Sequence, residues 1–345
     1  MTPNGPDDRP TCVLLMPPET VRAVFDDAAL TTLTECTELL RDEAGRPLVV
    51  ADLDTAPWDR LAGAEIVVTG WGSPFIDEAV AARLPHLRAI VHTPGSIRPI
   101  VAPEVLQSGV QVSSAAATNA IPVAEFTVAA IVFAAKRTSR HIAAYRATGQ
   151  LRSQEDRELW HGTHGITVGV VGASRIGRLV LEQLRDKDFQ LLIADPYLDK
   201  TAAETLGAKL VDLPKLLRQS DIVTLHAPEL PSTRHLLDAA GLALMPDGAV
   251  LINTARGSLV DTEALLSHLT TGRLDAYLDV ADPEPLPADS PLFRLPNVVV
   301  TPHIAGAMGN EVRRLGDAAV EEVRRLASGE PLQHQITVQD LDRIA

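Results

Sequence analysis

Three side chains in the second half of the chain have the types needed for proton and hydride chemistry on a 2-oxo acid. They are Arg256 in Asn253-Thr254-Ala255-Arg256-Gly257, Glu284 in Asp282-Pro283-Glu284-Pro285, and His303 in Thr301-Pro302-His303-Ile304. Each follows a short apolar run of strand character. An arginine holds a carboxylate with its planar fork and polarises the carbonyl beside it. A histidine gives a proton to the carbonyl oxygen as hydride arrives, and removes it in the reverse direction. A glutamate bonded to that histidine favours the imidazolium form. Taken singly, each has a plainer explanation: a surface ion pair for Arg256, a solvated charge in a Pro-rich loop for Glu284, a loop cap for His303. Together at adjacent strand ends they outweigh those explanations, because open α/β sheets bind ligands beyond the carboxyl ends of their strands.

The element that must supply the hydride partner runs from Ile166 to Asp195. Ile166–Val170 has strand character. The small-residue turn Gly172-Ala173-Ser174-Arg175-Ile176-Gly177 follows, then an apolar-periodic helix through Leu179, Leu181 and Leu184, then a strand, Leu191–Ala194, ending at Asp195. This pattern suits a dinucleotide: the first glycine makes the turn, the helix N-terminus faces a pyrophosphate, and the last glycine lets helix and strand approach closely. Gly172, Ser174, Arg175, Ile176 and Gly177 are the candidate phosphate-binding residues, with Ser174 standing where the middle glycine usually is. A tight turn of this kind also occurs in α/β proteins that bind no nucleotide, but Asp195, eighteen residues past Gly177, is placed to bond an adenosine ribose. No arginine accompanies it in Ala194-Asp195-Pro196-Tyr197, which predicts NAD rather than NADP.

The 345 residues are enough for two domains. The net charge of −14, without a basic run, argues against nucleic acid or an anionic membrane as partner. Cys12 and Cys36 have no Cys or His at metal-ligand spacing, so no metal is expected and they read as free thiols of a reducing compartment. The opening MTPNGPDDRP lacks the apolar core of a signal peptide. The longest apolar stretch, Val123–Ala135, is interrupted by Glu125 and is expected to be too short to span a bilayer. A soluble, cytoplasmic protein is the expectation.

Strands are expected at Thr11–Leu15, Leu48–Ala51, Glu65–Thr69, Ala89–Val91 and Val110–Ser113, with helices at Val21–Phe25, Leu30–Leu40 and Ile76–Leu84. That alternation implies a parallel sheet covered on both faces. A hinge is expected at Ser114–Asn119, then a long Ala-rich helix from Val123 to about Tyr145 with Pro122 in its first turn. The polar stretch Arg146–Trp160 reads as a surface connection. Beyond Asp195, strands are expected at Ile222–Leu225, Ala249–Asn253, Ala276–Asp279 and Val298–Thr301, which completes six. Helices are expected at Ala203–Leu206, Leu213–Leu217, Ala239–Leu244 and Thr262–Leu269. A C-terminal helix, Asn310–Leu326, places Val312, Leu315, Val323 and Leu326 on one face.

The run Asp221-Ile-Val-Thr-Leu-His226, followed by INTARG, LDVADPEP and TPHIAGA, resembles the D-isomer-specific 2-hydroxyacid dehydrogenases, and the similarity extends from about Ile66 to Gly306. The resemblance implies catalysis by Arg256, Glu284 and His303. It also implies that Asp279 holds the nicotinamide carboxamide, and that His226, Ala227, Pro228, Thr233, Thr254 and Ala255 line the cofactor. The implied fold is a Rossmann-type doubly wound domain over 119–304 and a smaller flavodoxin-like α/β substrate domain over 11–118 and 305–345, in a homodimer formed through the long helix.

The substrate loop departs from the family's Gly-rich pattern, reading Val91-His92-Thr93-Pro94-Gly95-Ser96-Ile97-Arg98. Thr93, Gly95, Ser96 and Arg98, with Trp71, are the candidate substrate-binding residues. If His92 or Arg98 faces the substrate, a second anionic group on it is implied; otherwise both serve the loop itself. An NAD-dependent enzyme acting on 2-hydroxy or 2-oxo acids is the leading expectation. Formate dehydrogenase-like activity and an NAD-sensing, corepressor-like regulator are the alternatives.

Overall fold

The computed structural model describes residues 9–150 and 162–342. The expected polar tail at the N-terminus and most of the polar connection 146–160 lie outside them. The chain divides into a unit that runs to Asn119 and resumes at Ala307, and a unit from Ala120 to Gly306.

The first unit opens with β1 (Thr11–Leu15), β2 (Glu38–Leu39), β3 (Ile66–Thr69), β4 (Ala89–His92) and β5 (Gln111–Ser114). Alternate residues of each strand feed two apolar layers. Val13, Leu15, Val67 and Ile90 enter one, and Cys12, Leu14, Ile66 and Val91 the other. Burial on both faces is why the strands read as unbroken apolar runs. Two expectations fail here. Leu48–Ala51 is not a strand: Val49 makes one bridge to Leu14, and Glu38–Leu39 takes the β1 edge instead. The helix expected to reach Leu40 stops at Cys36, because Thr37 turns extended and its hydroxyl donates to the Leu33 carbonyl at 2.6 Å.

The long helix expected from Val123 starts earlier, at Ala116, and ends at Ala135, with Pro122 inside it. Arg137 then adopts a left-handed conformation and a separate helix, Thr138–Thr148, begins. The break lets the Arg137 guanidinium bond Asp275 at 2.9 Å beside Arg140, so that carboxylate is buried with two cationic partners. Because the helix starts at Ala116, it is 20 residues long with a mean hydropathy of 1.6, long and apolar enough to cross a membrane by length and composition. That corrects the expectation that the stretch is too short. Here Ala124, Ala130, Ile131 and Ala134 pack in the second unit's core.

The second unit is built on β6 (Thr167–Val171), β7 (Gln190–Ala194), β8 (Lys209–Leu210), β9 (Ile222–Leu225), β10 (Val250–Asn253), β11 (Asp275–Leu278) and β12 (Val298–Val300). All pairs are parallel, in the order β12-β11-β10-β9-β6-β7-β8. The six expected strands are present, with the two-residue β8 added at the edge. The order reverses between β6 and β9, which is where a doubly wound sheet opens a crevice for a ligand. The chain then returns to the first unit. Val312–Ala327 packs Val312, Ala319, Val320 and Val323 on its sheet, and β13 (Gln335–Ile336) lies antiparallel to β5. The resulting order, β2-β1-β3-β4-β5-β13, is the flavodoxin-like 2-1-3-4-5 with one antiparallel strand added.

Candidate active site

In the second unit, the turn after β6 is shaped by close approach. Gly172 has φ 98°, and a Cβ there would meet the backbone of His226 and Ala227 after β9. A Cβ on Gly177 would run into the Gly172 carbonyl. Ser174, in the place of the missing glycine, caps the helix Arg175–Leu184: its hydroxyl accepts from the Gly177 amide at 3.3 Å, leaving its own proton to donate. Arg175 is exposed and Ile176 half-buried. Both oxygens of Asp195 are engaged by backbone, Oδ2 accepting from the Ala173 amide at 2.7 Å and Oδ1 from the Tyr197 amide at 2.8 Å. The carboxylate is thereby tied to the glycine turn.

His226 is buried after β9. Its Nε2 lies 2.9 Å from Thr224 Oγ1, while Nδ1 has no partner among the described residues. Burial pushes its pKa down to about 3, so the ring is neutral. Thr233 closes the loop onto itself, donating to the Pro228 carbonyl at 2.6 Å and accepting from the Leu230 amide at 2.9 Å. Thr254 bonds Thr127 of the long helix at 2.8 Å. Asn253, which the sequence did not single out, shapes the loop carrying Ala255 and Arg256: its side chain accepts from the Ala255 amide and donates to the Arg256 carbonyl. Two glycines with no room for a side chain, a helix N-terminus, a carboxylate tied to the turn and an unpartnered buried ring nitrogen together fit a dinucleotide.

His303 and Glu284 are brought together, with Nδ1 2.6 Å from Oε1 and both side chains about half exposed. His303 is one of three non-glycine residues with positive φ among the described residues, at 55°. That conformation is costly for a side-chain-bearing residue and persists only where its surroundings impose it. Asp279 imposes it. Oδ1 accepts from the Thr301 hydroxyl at 2.6 Å and the Ile304 amide at 2.8 Å, and Oδ2 from the Ala305 amide at 2.8 Å. The His303 amide donates to the Asp279 carbonyl at 2.9 Å. The buried Asp279 thus builds the turn that presents His303. Arg256 makes no hydrogen bond or ion pair with His303 or Glu284 among the described residues. Its Nη1 donates to the Ala255 carbonyl at 2.7 Å, and Nε lies 3.8 Å from Oε2 of Glu229, a residue the sequence reading missed.

In the first unit, Trp71 is exposed and its carbonyl accepts from the Thr20 hydroxyl at 2.9 Å. Thr93 is buried, with a hydroxyl that has no partner among the described residues. A Cβ on Gly95 would stand 3.6 Å from the Asn119 side chain and 4.0 Å from the Ala116 Cα, an ordinary contact. For His92 and Arg98 the structure favours the reading in which both side chains serve the loop. The His92 ring is buried, lies 2.9 Å from the Thr69 hydroxyl and bonds the Ser96 backbone, and burial pushes its pKa down to about 4. It is a neutral strand end, not a cation offered to substrate. The Arg98 guanidinium donates to the Leu341 carbonyl. Both side chains serve the loop, so they give no ground for a second anionic group on the substrate.

Residues 128–305 match the sequence profile described as D-isomer specific 2-hydroxyacid dehydrogenase, NAD binding domain. The chain is 30% identical to the D-3-phosphoglycerate dehydrogenase of Methanocaldococcus jannaschii over 287 residues, which are 82% of this chain and 53% of that one. It is 35% identical to the (S)-sulfolactate dehydrogenase of Chromohalobacter salexigens over 256 residues, 72% of this chain and 81% of the relative. The structure of D-lactate dehydrogenase from Aquifex aeolicus, complexed with NAD and lactic acid, aligns with a TM-score of 0.71 at 25% identity, covering 93% of this chain and 96% of that one. The chain spans about half the length of the phosphoglycerate dehydrogenases it matches. A profile matched by half the chain, carried on this fold and this turn, establishes that the chain belongs to the D-isomer specific 2-hydroxyacid dehydrogenase family.

Proposed function

We propose that the protein is an NAD-dependent dehydrogenase that interconverts a 2-hydroxy acid and its 2-oxo acid. The observation that carries this is the His303–Glu284 pair, held on the loops after β11 and β12 beside the loop that bears Arg256. Gly172, Ser174, Gly177 and Asp195 would hold NAD, which when bound supplies the hydride acceptor and donor. Arg256 takes the substrate carboxylate on its guanidinium and draws electron density from the adjacent carbonyl. His303 hands a proton from Nε2 to the carbonyl oxygen during reduction and takes it back during oxidation. Glu284 accepts a hydrogen bond from Nδ1–H and so orients the ring with Nε2 toward the substrate. Asp279 keeps the histidine in its unusual backbone conformation.

The relatives differ in what their names say they act on: phosphoglycerate and sulfolactate carry a second anionic group, and the lactic acid of the solved neighbour does not. A homodimer is part of the same proposal. It is supported by the exposed apolar side chains Ile121, Phe133, Ile142 and Tyr145 on the helices Ala116–Ala135 and Thr138–Thr148. The test of the activity is a spectrophotometric screen of NADH oxidation over 2-oxo acids varying in length and charge. Turnover of at least one supports the reading. NADH binding without turnover of any would instead point to an NAD-sensing protein.

A further inference from the structure

Three cationic or proton-carrying side chains at the carboxyl edge of the second unit's sheet have a carboxylate beside them. Arg234 Nη2 lies 3.4 Å from Asp282, His303 Nδ1 lies 2.6 Å from Glu284, and Arg256 Nε lies 3.8 Å from Glu229. The first is on the loop surface and the second belongs to proton transfer. The third has no assigned role. Glu229 comes from the loop after β9, three residues beyond His226, and reaches the loop after β10. Its Oε1 accepts from the Ser258 hydroxyl at 2.6 Å, and Ser258 is itself largely buried, with its carbonyl accepting from the His235 amide at 2.8 Å. One oxygen is therefore anchored, and the other faces the guanidinium. At 3.8 Å this is an ion pair rather than a hydrogen bond, so Glu229 lowers the positive potential around Arg256 without taking its Nε proton.

We propose that Glu229 is a specificity-determining residue that turns the site toward 2-oxo acids whose only negative charge is the carboxylate held by Arg256. The proposal rests on the reading of Arg256 as the carboxylate clamp. A monoanionic substrate replaces solvent at a guanidinium whose charge is already half answered. A substrate with a second anionic group brings that group into the field of Glu229. Like charges in one site, at an effective dielectric constant between those of protein and water, repel by an amount worth about a tenfold change in rate. This separates the chain from relatives named for phosphoglycerate and sulfolactate.

The test is kcat/KM with NADH for two length-matched pairs, 2-oxobutyrate against oxaloacetate and 2-oxovalerate against 2-oxoglutarate. The unmutated enzyme should favour the monoanion of each pair. Glu229→Gln keeps an acceptor for Ser258 and removes the charge, so the dianion-to-monoanion ratio should rise about tenfold. Glu229→Leu should shift it in the same direction, and Glu229→Asp should leave it near the unmutated value. A ratio that moves less than about twofold in both neutral variants overturns the proposal, as does an unmutated enzyme that prefers dianions. So does an equal loss on all four acids, which would make Glu229 a support for Arg256 and nothing more. Absence of turnover of any 2-oxo acid by the unmutated protein, with NADH still bound, overturns the dehydrogenase reading itself, a result separable from the others.

Discussion

The Nδ1 atom of His303 lies 2.6 Å from Oε1 of Glu284, on a backbone turned into the left-handed region. In the proposed mechanism, Glu284 on Nδ1 leaves Nε2 for the proton that moves. His303→Ala should lower kcat by roughly 10²–10⁴-fold, the usual contribution of a positioned acid–base group, with NADH affinity little changed. Glu284→Gln keeps a bonding partner and loses the charge, so it should cost about tenfold, the worth of one charge-assisted bond. Steady-state kinetics beside NADH titration by fluorescence checks both. A His303→Ala protein that keeps most of its turnover would remove the residue from the mechanism.

Asp195 joins the glycine turn through the Ala173 amide, and in the proposed function it also takes the adenosine ribose. NADH should outperform NADPH, since the carboxylate repels a 2′-phosphate. Asp195→Ala should narrow that difference mainly by weakening NADH, about tenfold or more, because the turn loses its tether along with the ribose contact. Dissociation constants for both cofactors decide it; equal use by the unmutated enzyme would contradict the assignment.

Asp279 accepts three hydrogen bonds from the turn that carries His303, and it is buried. Asp279→Ala should destabilise the second unit by about 2–4 kcal/mol, since the Ile304 and Ala305 amides lose a charged acceptor. Asp279→Asn should be nearly as damaging to kcat, because an amide NH₂ at either oxygen position faces a donor. Urea denaturation and kinetics on the two variants separate the stability loss from the loss of His303 placement. An asparagine variant with full activity would show that the carboxylate's charge and acceptor geometry are dispensable.

Acid sensitivity follows from two buried histidines. His92 titrates at about 4 and His226 at about 3 when folded, both pushed down by burial from an ordinary 6.5. Above 6.5 both are neutral, folded or unfolded, and pH has no leverage through them. Below it the unfolded chain binds protons that the folded chain refuses, so stability is lost as pH falls from 6.5 toward 4 and then 3. Each histidine accounts for up to about 1.4 kcal/mol per pH unit. Replacing His92 with asparagine should flatten the pH dependence of the unfolding free energy between 6 and 4.5 by up to one proton. An unchanged slope would mean that the ring is solvated in the native state.

The sequence by itself determined the elements that local chemistry controls. Apolar runs long enough for a strand and bounded by turn residues appear where expected, with Ile222–Leu225 and Ala239–Leu244 matching residue for residue. The turn Gly172–Gly177 was legible because glycines that admit no Cβ leave a mark no other residue can make. Arg256, Glu284 and His303 were legible because each stands just beyond a strand end, and parallel packing brings such ends to one edge. What the tertiary structure decided involves partners distant in the chain. Leu48–Ala51 has strand composition, but the β1 edge was taken by Glu38–Leu39. The long helix broke at Arg137 because a carboxylate 138 residues later, Asp275, required the guanidinium. His92 and Arg98 look like cations of a binding loop in the sequence, whereas one is neutralised by burial and the other is engaged by the carbonyl of Leu341. Glu229 carried no signal beyond one acidic residue in a loop. Only the pairing of β9 with β10 sets that loop against the one bearing Arg256 and Ser258, and the charge of the site depends on that approach.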